Sequence, residues 1–179
     1  KLPEFIAAYE KLVERFSTPL YVVDEADVRA RAARVRAAFL AAFGRVDSTA
    51  RVYYAGKAFL STEVARWVAA EGLGIDVASG GELAVALAAG TDPSTIGVHG
   101  NAKSDAELRG AIEVGVGSIV IDSLAEVGRV AAIARELGRI SPHHHIEQEP
   151  SVAHAIKRCR LPRREGRRGN AGAQRYQKL

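Results

Sequence analysis

Methionine is missing altogether from these 179 residues, and cysteine and tryptophan occur once each. A single Cys159 excludes an internal disulfide and fits a reducing, cytoplasmic setting. With no methionine even at position 1, the chain reads as a fragment or a processed product. Long apolar runs are missing too. None approaches the roughly 18 to 20 residues that a membrane-spanning helix needs. The opening KLPEFIAAYEKLVERF is a charged amphipathic stretch and not a signal peptide. A basic body is also lacking, despite a net charge of +4. Residues 1–140 carry 16 Lys and Arg against 18 Asp and Glu, whereas residues 141–179 carry 9 against 3. The basic character belongs to the tail and says nothing about what the body binds.

What is present is a repeat. Four short β-branched segments read as strands: Val52–Ala55, Ile75–Ala78, Ile96–His99 and Ser118–Ile121. Between them lie segments with helix signals. Ser79, Ser104 and Ser123 each stand three residues before a glutamate, at Glu82, Glu107 and Glu126, the spacing of a capping box. Ser61 is a further N-cap candidate, and Gly72, Gly90, Gly115 and Gly138 stand where helices should stop. Apolar residues fall on one face within these segments, as at Val64, Trp67 and Val68, Leu83, Val85 and Leu87, Leu108, Ala111 and Ile112, and Val127, Val130 and Ile133. Earlier, PLYVVDE reads as another strand. Asp24 then caps a long helix with Val28, Ala32, Val35 and Phe39 along one face.

Strand and helix alternating every 22 or so residues predict parallel strands joined by helical crossovers. A (β/α)8 barrel and an open doubly wound sheet both satisfy that pattern; the short, even repeat favours the barrel, of which four units are half. The expected organisation is residues 1–50 as an N-terminal strand and helix, 51–139 as half a βα barrel, and 140–179 as a basic tail. In that tail the periodicity stops, and Arg, Gly, Pro and Gln dominate its end, so it reads as disordered or aberrant sequence.

In such a barrel, chemistry gathers at the C-terminal ends of the strands. Lys57 falls there, inside the run VYYAGKAF. A lysine in an apolar setting sheds its proton and becomes a nucleophile toward carbonyls, although a lysine at a strand end also snorkels to solvent. Asp76, within the second strand, suits either a partner for such a lysine or an acceptor of backbone N–H groups. His99 suits either a ligand contact or a structural hydrogen bond. Other signals fail. Gly115-Val-Gly117 lacks the third glycine of a dinucleotide fingerprint, and Gly56-Lys57 lacks the rest of a P-loop. His143–His145, His154 and Cys159 match no standard zinc spacing, so no metal is expected. The tail has only Tyr176 for stacking on bases, which argues against nucleic acid.

Five stretches carry a resemblance: TPLYVVDE (18–25), YYAGKAFLSTEVARWV (53–68), GIDVASGGELAVAL (74–87), HGNAKSDAEL (99–108) and GVGSIVIDSLAEV (115–127). In their order and spacing, over about residues 3–139, the chain resembles the diaminopimelate decarboxylases of the fold-type III pyridoxal 5′-phosphate (PLP) enzymes. The resemblance implies an α/β fold of the TIM-barrel, alanine racemase-like kind, present here in part. It implies PLP held as a Schiff base on Lys57, with Asp76 near the lysine and cofactor and His99 and Asn101 close by. It further implies decarboxylation of meso-diaminopimelate to L-lysine by a cytoplasmic homodimer with no membrane attachment. The segments that complete the family's site come later than these residues, so the chain is expected to be truncated and inactive alone. The alternatives are another fold III enzyme, such as an ornithine or arginine decarboxylase, or a non-catalytic PLP-binding protein.

Overall fold

A computed structural model describes residues 2–139 and 143–146. Serines set the helix starts. Ser61, Ser79, Ser104 and Ser123 each accept a hydrogen bond at Oγ from the backbone N–H three residues on, satisfying a donor that the first turn leaves free. The helices so started are α3 (Thr62–Ala70), α4 (Gly80–Ala88), α5 (Asp105–Val114) and α6 (Leu124–Glu136). At their far ends Gly72, Gly90, Gly115 and Gly138 all have φ between 60° and 81°, the left-handed turn that glycine adopts at little cost. Two helices precede them, α1 (Leu2–Phe16) and α2 (Glu25–Gly44), the latter capped by Asp24 as the sequence predicts.

The strands are β1 (Tyr53–Ala55), β2 (Gly74–Val77), β3 (Ile96–Val98), β4 (Ser118–Ile121) and β5 (His143–Ile146). All pair in parallel, in the order β1-β2-β3-β4-β5. Consecutive strands lie side by side with no reversal. That is the winding of a barrel wall, whereas a doubly wound sheet changes direction at a switch point. Among the described residues the wall has five strands and does not close.

Ile75, Val77, Ile96, Val98, Ile119 and Ile121 point to the helix side and are buried. They meet Val64 and Val68 of α3, Leu83 and Ala86 of α4, Leu108 and Ile112 of α5, and Val130 and Ile133 of α6. Each such side chain taken out of water stabilises the fold by about 1.5–3 kcal/mol. On α4 the buried pair is Leu83 and Ala86, one helical turn apart; the Val85 and Leu87 of the sequence reading are only half-buried.

Two expectations are corrected. PLYVVDE forms no strand: residues 19–24 pair with no other strand among those described, and Tyr21 is 92 % exposed. β-Branched residues favour extension, but a strand exists only where a partner takes its backbone groups. The long α2 packs only by its first half, with Ala32 buried and Val28 half-buried, while Val35 and Phe39 stay exposed. Arg29 Nε ties this half to Glu71, 2.8 Å away just past α3. The sheet also continues beyond the point where periodicity fades, because the free edge of β4 takes the backbone of His143–Ile146 whatever its side chains. The rest of the predicted tail, with His154, Cys159 and Tyr176, lies outside the described residues. Among the described residues no helix is long and apolar enough to cross a membrane, and no His, Cys, Asp and Glu group is arranged to hold a metal.

Candidate functional site

Beyond β1 the chain does not run on as a strand. It turns into a 3-10 segment, Gly56–Ala58, which carries Lys57 exposed at the C-terminal rim of the sheet. The sequence expectation of an apolar setting is therefore replaced by an open one. Glycine is required at position 56 by close approach: a Cβ there would lie 3.0 Å from the Asp76 carbonyl oxygen and 3.2 Å from Glu82 Oε2. The lysine turn thus leans directly on the end of β2. Tyr54 closes it from the other side, donating from its hydroxyl to the Phe59 carbonyl at 2.6 Å. Burial raises the Tyr54 pKa above the usual phenol value, which keeps that proton in place.

Side chains in register across parallel strands share a face. One row runs Ala55, Asp76, Gly97, Ser118 on the face opposite the helices. Asp76 is its only carboxylate. Gly97 lets its neighbours close in beside it: a Cβ there would sit 3.2 Å from Ser118 Oγ, 3.4 Å from Asp76 Oδ1 and 3.6 Å from the Tyr53 ring. His99, one residue past β3, brings Nδ1 to 3.6 Å from Asp76 Oδ2, both side chains about one third exposed. Asn101 is exposed in the turn before α5. The row and the rim therefore bring Asp76 and His99 together, and the Gly56 wedge sets the Lys57 turn against β2. Ala55 and Gly97, either side of Asp76, keep large side chains off this stretch of the face, and an exposed lysine, a carboxylate and an imidazole stand at one rim. These residues fit PLP.

The carboxylates at the rim serve the backbone. Glu107 closes a full capping box with Ser104 and also accepts from Gly80 N at 3.0 Å, which binds the start of α4 to that of α5. Those backbone donors hold its pKa below the ordinary glutamate value. Glu82 and Glu126 depart from the expected box. Their Oε2 atoms accept from Ala78 N at 2.7 Å and Asp122 N at 3.0 Å, one residue before each N-cap.

Sequence reasoning missed Lys103. It lies inside the HGNAKS stretch yet is only 3 % exposed, with Nζ 3.2 Å from Asp122 Oδ2 and 3.1 Å from Glu126 Oε1. A cation directly before an N-cap serine, next to a following unit rich in acids, is the signal that marks it. A cavity of about 420 Å³, lined by Arg36, Arg51 and Thr91 among others, opens at the opposite, N-terminal rim. It shares Tyr53 and Gly74 of the inner face but none of Lys57, Asp76 or His99.

Comparison with known proteins agrees with this geometry. The family model for the pyridoxal-binding domain of pyridoxal-dependent decarboxylases matches residues 25–159. Diaminopimelate decarboxylase of Mycobacterium tuberculosis is 51 % identical over 128 residues, 72 % of this chain and 27 % of the relative. The Bacillus subtilis enzyme of the same name is 43 % identical over 127 residues, 71 % and 28 % respectively. The chain thus spans about a quarter of the length of these curated relatives. The crystal structure of diaminopimelate decarboxylase from M. jannaschii superposes with a TM-score of 0.65 at 31 % identity, over 76 % of this chain and 31 % of that one. A lysine/ornithine decarboxylase from Vibrio vulnificus superposes at 0.70 with 22 % identity, over 88 % and 43 %, and shows the shared fold. The chain belongs to the pyridoxal-dependent decarboxylases, a family of PLP enzymes whose pyridoxal-binding domain it matches, with diaminopimelate decarboxylases as its relatives.

Proposed function

We propose that Lys57, Asp76, His99 and Asn101 form the lysine-bearing part of a PLP site whose complete form decarboxylates meso-diaminopimelate to L-lysine. The observation that carries this reading is the placement of Lys57 on a turn wedged by Gly56 against β2, at the rim of the face that carries Asp76 beside His99. Bound PLP would supply an electron sink for the pair left on the α-carbon of an amino acid when carbon dioxide departs.

The chain's own residues do the rest. Exposure leaves the Lys57 amine free to reach an aldehyde and, later, to be displaced by a substrate amine. Asp76 puts a negative charge on the cofactor face, and His99 beside it supplies a group that can hold or release a proton. Asn101 offers an amide donor and acceptor at the same rim. Similarity to diaminopimelate decarboxylases supports that substrate over ornithine or arginine. The same reading includes a cytoplasmic homodimer, division into residues 1–50, 51–139 and 140–179, and no lysine formation by the 179-residue chain alone. Among the described residues the wall has five strands, where a closed barrel would have eight.

The test is borohydride reduction of the chain with PLP, followed by peptide mass mapping. A pyridoxyl group on Lys57, lost in K57A with the melting temperature unchanged, is the expected result. Label spread over several lysines, or label that survives K57A, refutes the assignment. Lysine formed from meso-diaminopimelate by the chain alone refutes the inactivity.

A further inference from the structure

We propose that Lys103 is a positioning residue: its buried ammonium fixes the turn carrying His99 and Asn101 against the end of β4 and the start of α6. The importance of that turn rests on the function proposed above; the tether itself does not. An ammonium 3 % exposed is tolerated only if its protons are taken up. Lys103 Nζ has three, and three acceptors stand around it: the Gly100 carbonyl at 2.6 Å, Glu126 Oε1 at 3.1 Å and Asp122 Oδ2 at 3.2 Å. Of these acceptors Asp122 belongs to the β4–α6 turn, Glu126 to the first turn of α6 and Gly100 to the β3–α5 turn. The side chain is thus a clasp between neighbouring units.

Its partners are themselves held. Glu126, also buried, accepts from Asp122 N through its other oxygen. Arg129 donates from Nη2 to the Lys103 carbonyl and from Nε to Asp105. Gly100 sits so close to β2 that a Cβ would fall 2.1 Å from the Ala78 carbonyl oxygen. His99 N donates to Val77 O at 2.7 Å. Between Gly100 and Lys103 the chain bends back through Ala102, which has a φ of 54°, a conformation non-glycine residues keep only when their surroundings enforce it. That bend is what returns Nζ to the carbonyl three residues earlier. Loss of the clasp frees the bend, and with it the residues on either side of Gly100.

The experiment compares the full chain with K103M and K103M/E126Q. Methionine keeps the length of the stem and removes the donors; E126Q removes one of the carboxylates that K103M leaves uncompensated. Amide hydrogen exchange at residues 99–103 is expected to quicken at least tenfold in both variants, with Ile75–Val77 changed less than twofold. Pyridoxal trapping at Lys57 is expected to slow at least tenfold in both, even where E126Q recovers the melting temperature. Should K103M fail to fold, the double variant carries the comparison. Protection at 99–103 unchanged, or restored by E126Q, overturns the tether and leaves Lys103 as a charge neutraliser. Faster exchange with trapping unchanged overturns its role at the site. A wild-type chain that traps no pyridoxal refutes the proposed function, while the exchange data still decide the tether.

Discussion

Gly97→Ala separates the cofactor face from the stability of the fold. The new methyl group would lie 3.2 Å from Ser118 Oγ, 3.4 Å from Asp76 Oδ1 and 3.6 Å from the Tyr53 ring. Two terms favour the substitution. Removing a glycine from a strand interior gains about 0.5–1 kcal/mol of backbone entropy. Burying one methyl group gains about 0.8 kcal/mol. Against them stands overpacking, about 1–3 kcal/mol. It is eased here because the three neighbours are side-chain atoms, which can shift by a few tenths of an ångström. The terms nearly cancel, and the net change is expected within about 1.5 kcal/mol either way. For a chain of this size that moves the melting temperature by no more than about 6 °C. The methyl group nevertheless projects from the row beside Asp76, so borohydride trapping of PLP on Lys57 is expected to fall at least tenfold. Differential scanning fluorimetry and peptide mapping on one preparation read both quantities. Trapping at the wild-type rate would show that the Ala55–Asp76–Gly97–Ser118 row is not where the ring lies. A drop in melting temperature beyond 10 °C would refute the account of the packing.

Gly100→Ala has the opposite profile, because its Cβ would meet a backbone oxygen at 2.1 Å and no side chain can yield. A loss of about 3 kcal/mol is expected, read by urea unfolding. Ser104→Ala removes the hydroxyl of the capping box and should cost about 1 kcal/mol, or 2–4 °C in melting temperature. Glu107 is held ionised by backbone N–H groups, so its folded pKa lies below its unfolded one. Its contribution is therefore fully present above the ordinary glutamate value and is lost as pH falls through the lowered one. E107Q should be less stable than wild type at pH 7, and the difference should shrink as pH falls below 4.5 in parallel denaturant titrations.

Much of the fold was legible in local sequence because its causes are local. A serine that caps a first turn acts over three residues, and a glycine that takes a left-handed φ acts on its own. Ser61, Ser79, Ser104, Ser123 and the four stop glycines could therefore be placed by inspection. The β-branched segments of β2, β3 and β4 likewise announced themselves, as did the rim position of Lys57. PLYVVDE and β5 show the limit of such reading. A strand needs a partner, and propensity cannot say whether one stands alongside. The destinations of Glu82 and Glu126 were hidden for a related reason, since a carboxylate that can close a box can also reach one residue further.

The sequence by itself determined where the helices of the repeat begin and end, that the strands are parallel, and that a lysine and a histidine fall at strand ends with an aspartate inside the strand between them, because these follow from period, capping and repeat length. Tertiary structure alone decided that the sheet winds in one direction, that Asp76 meets His99, and that Lys103 is buried between two carboxylates. Those are distances between residues some 20 positions apart, set by the register of neighbouring strands, and register is decided by packing the whole apolar face at once.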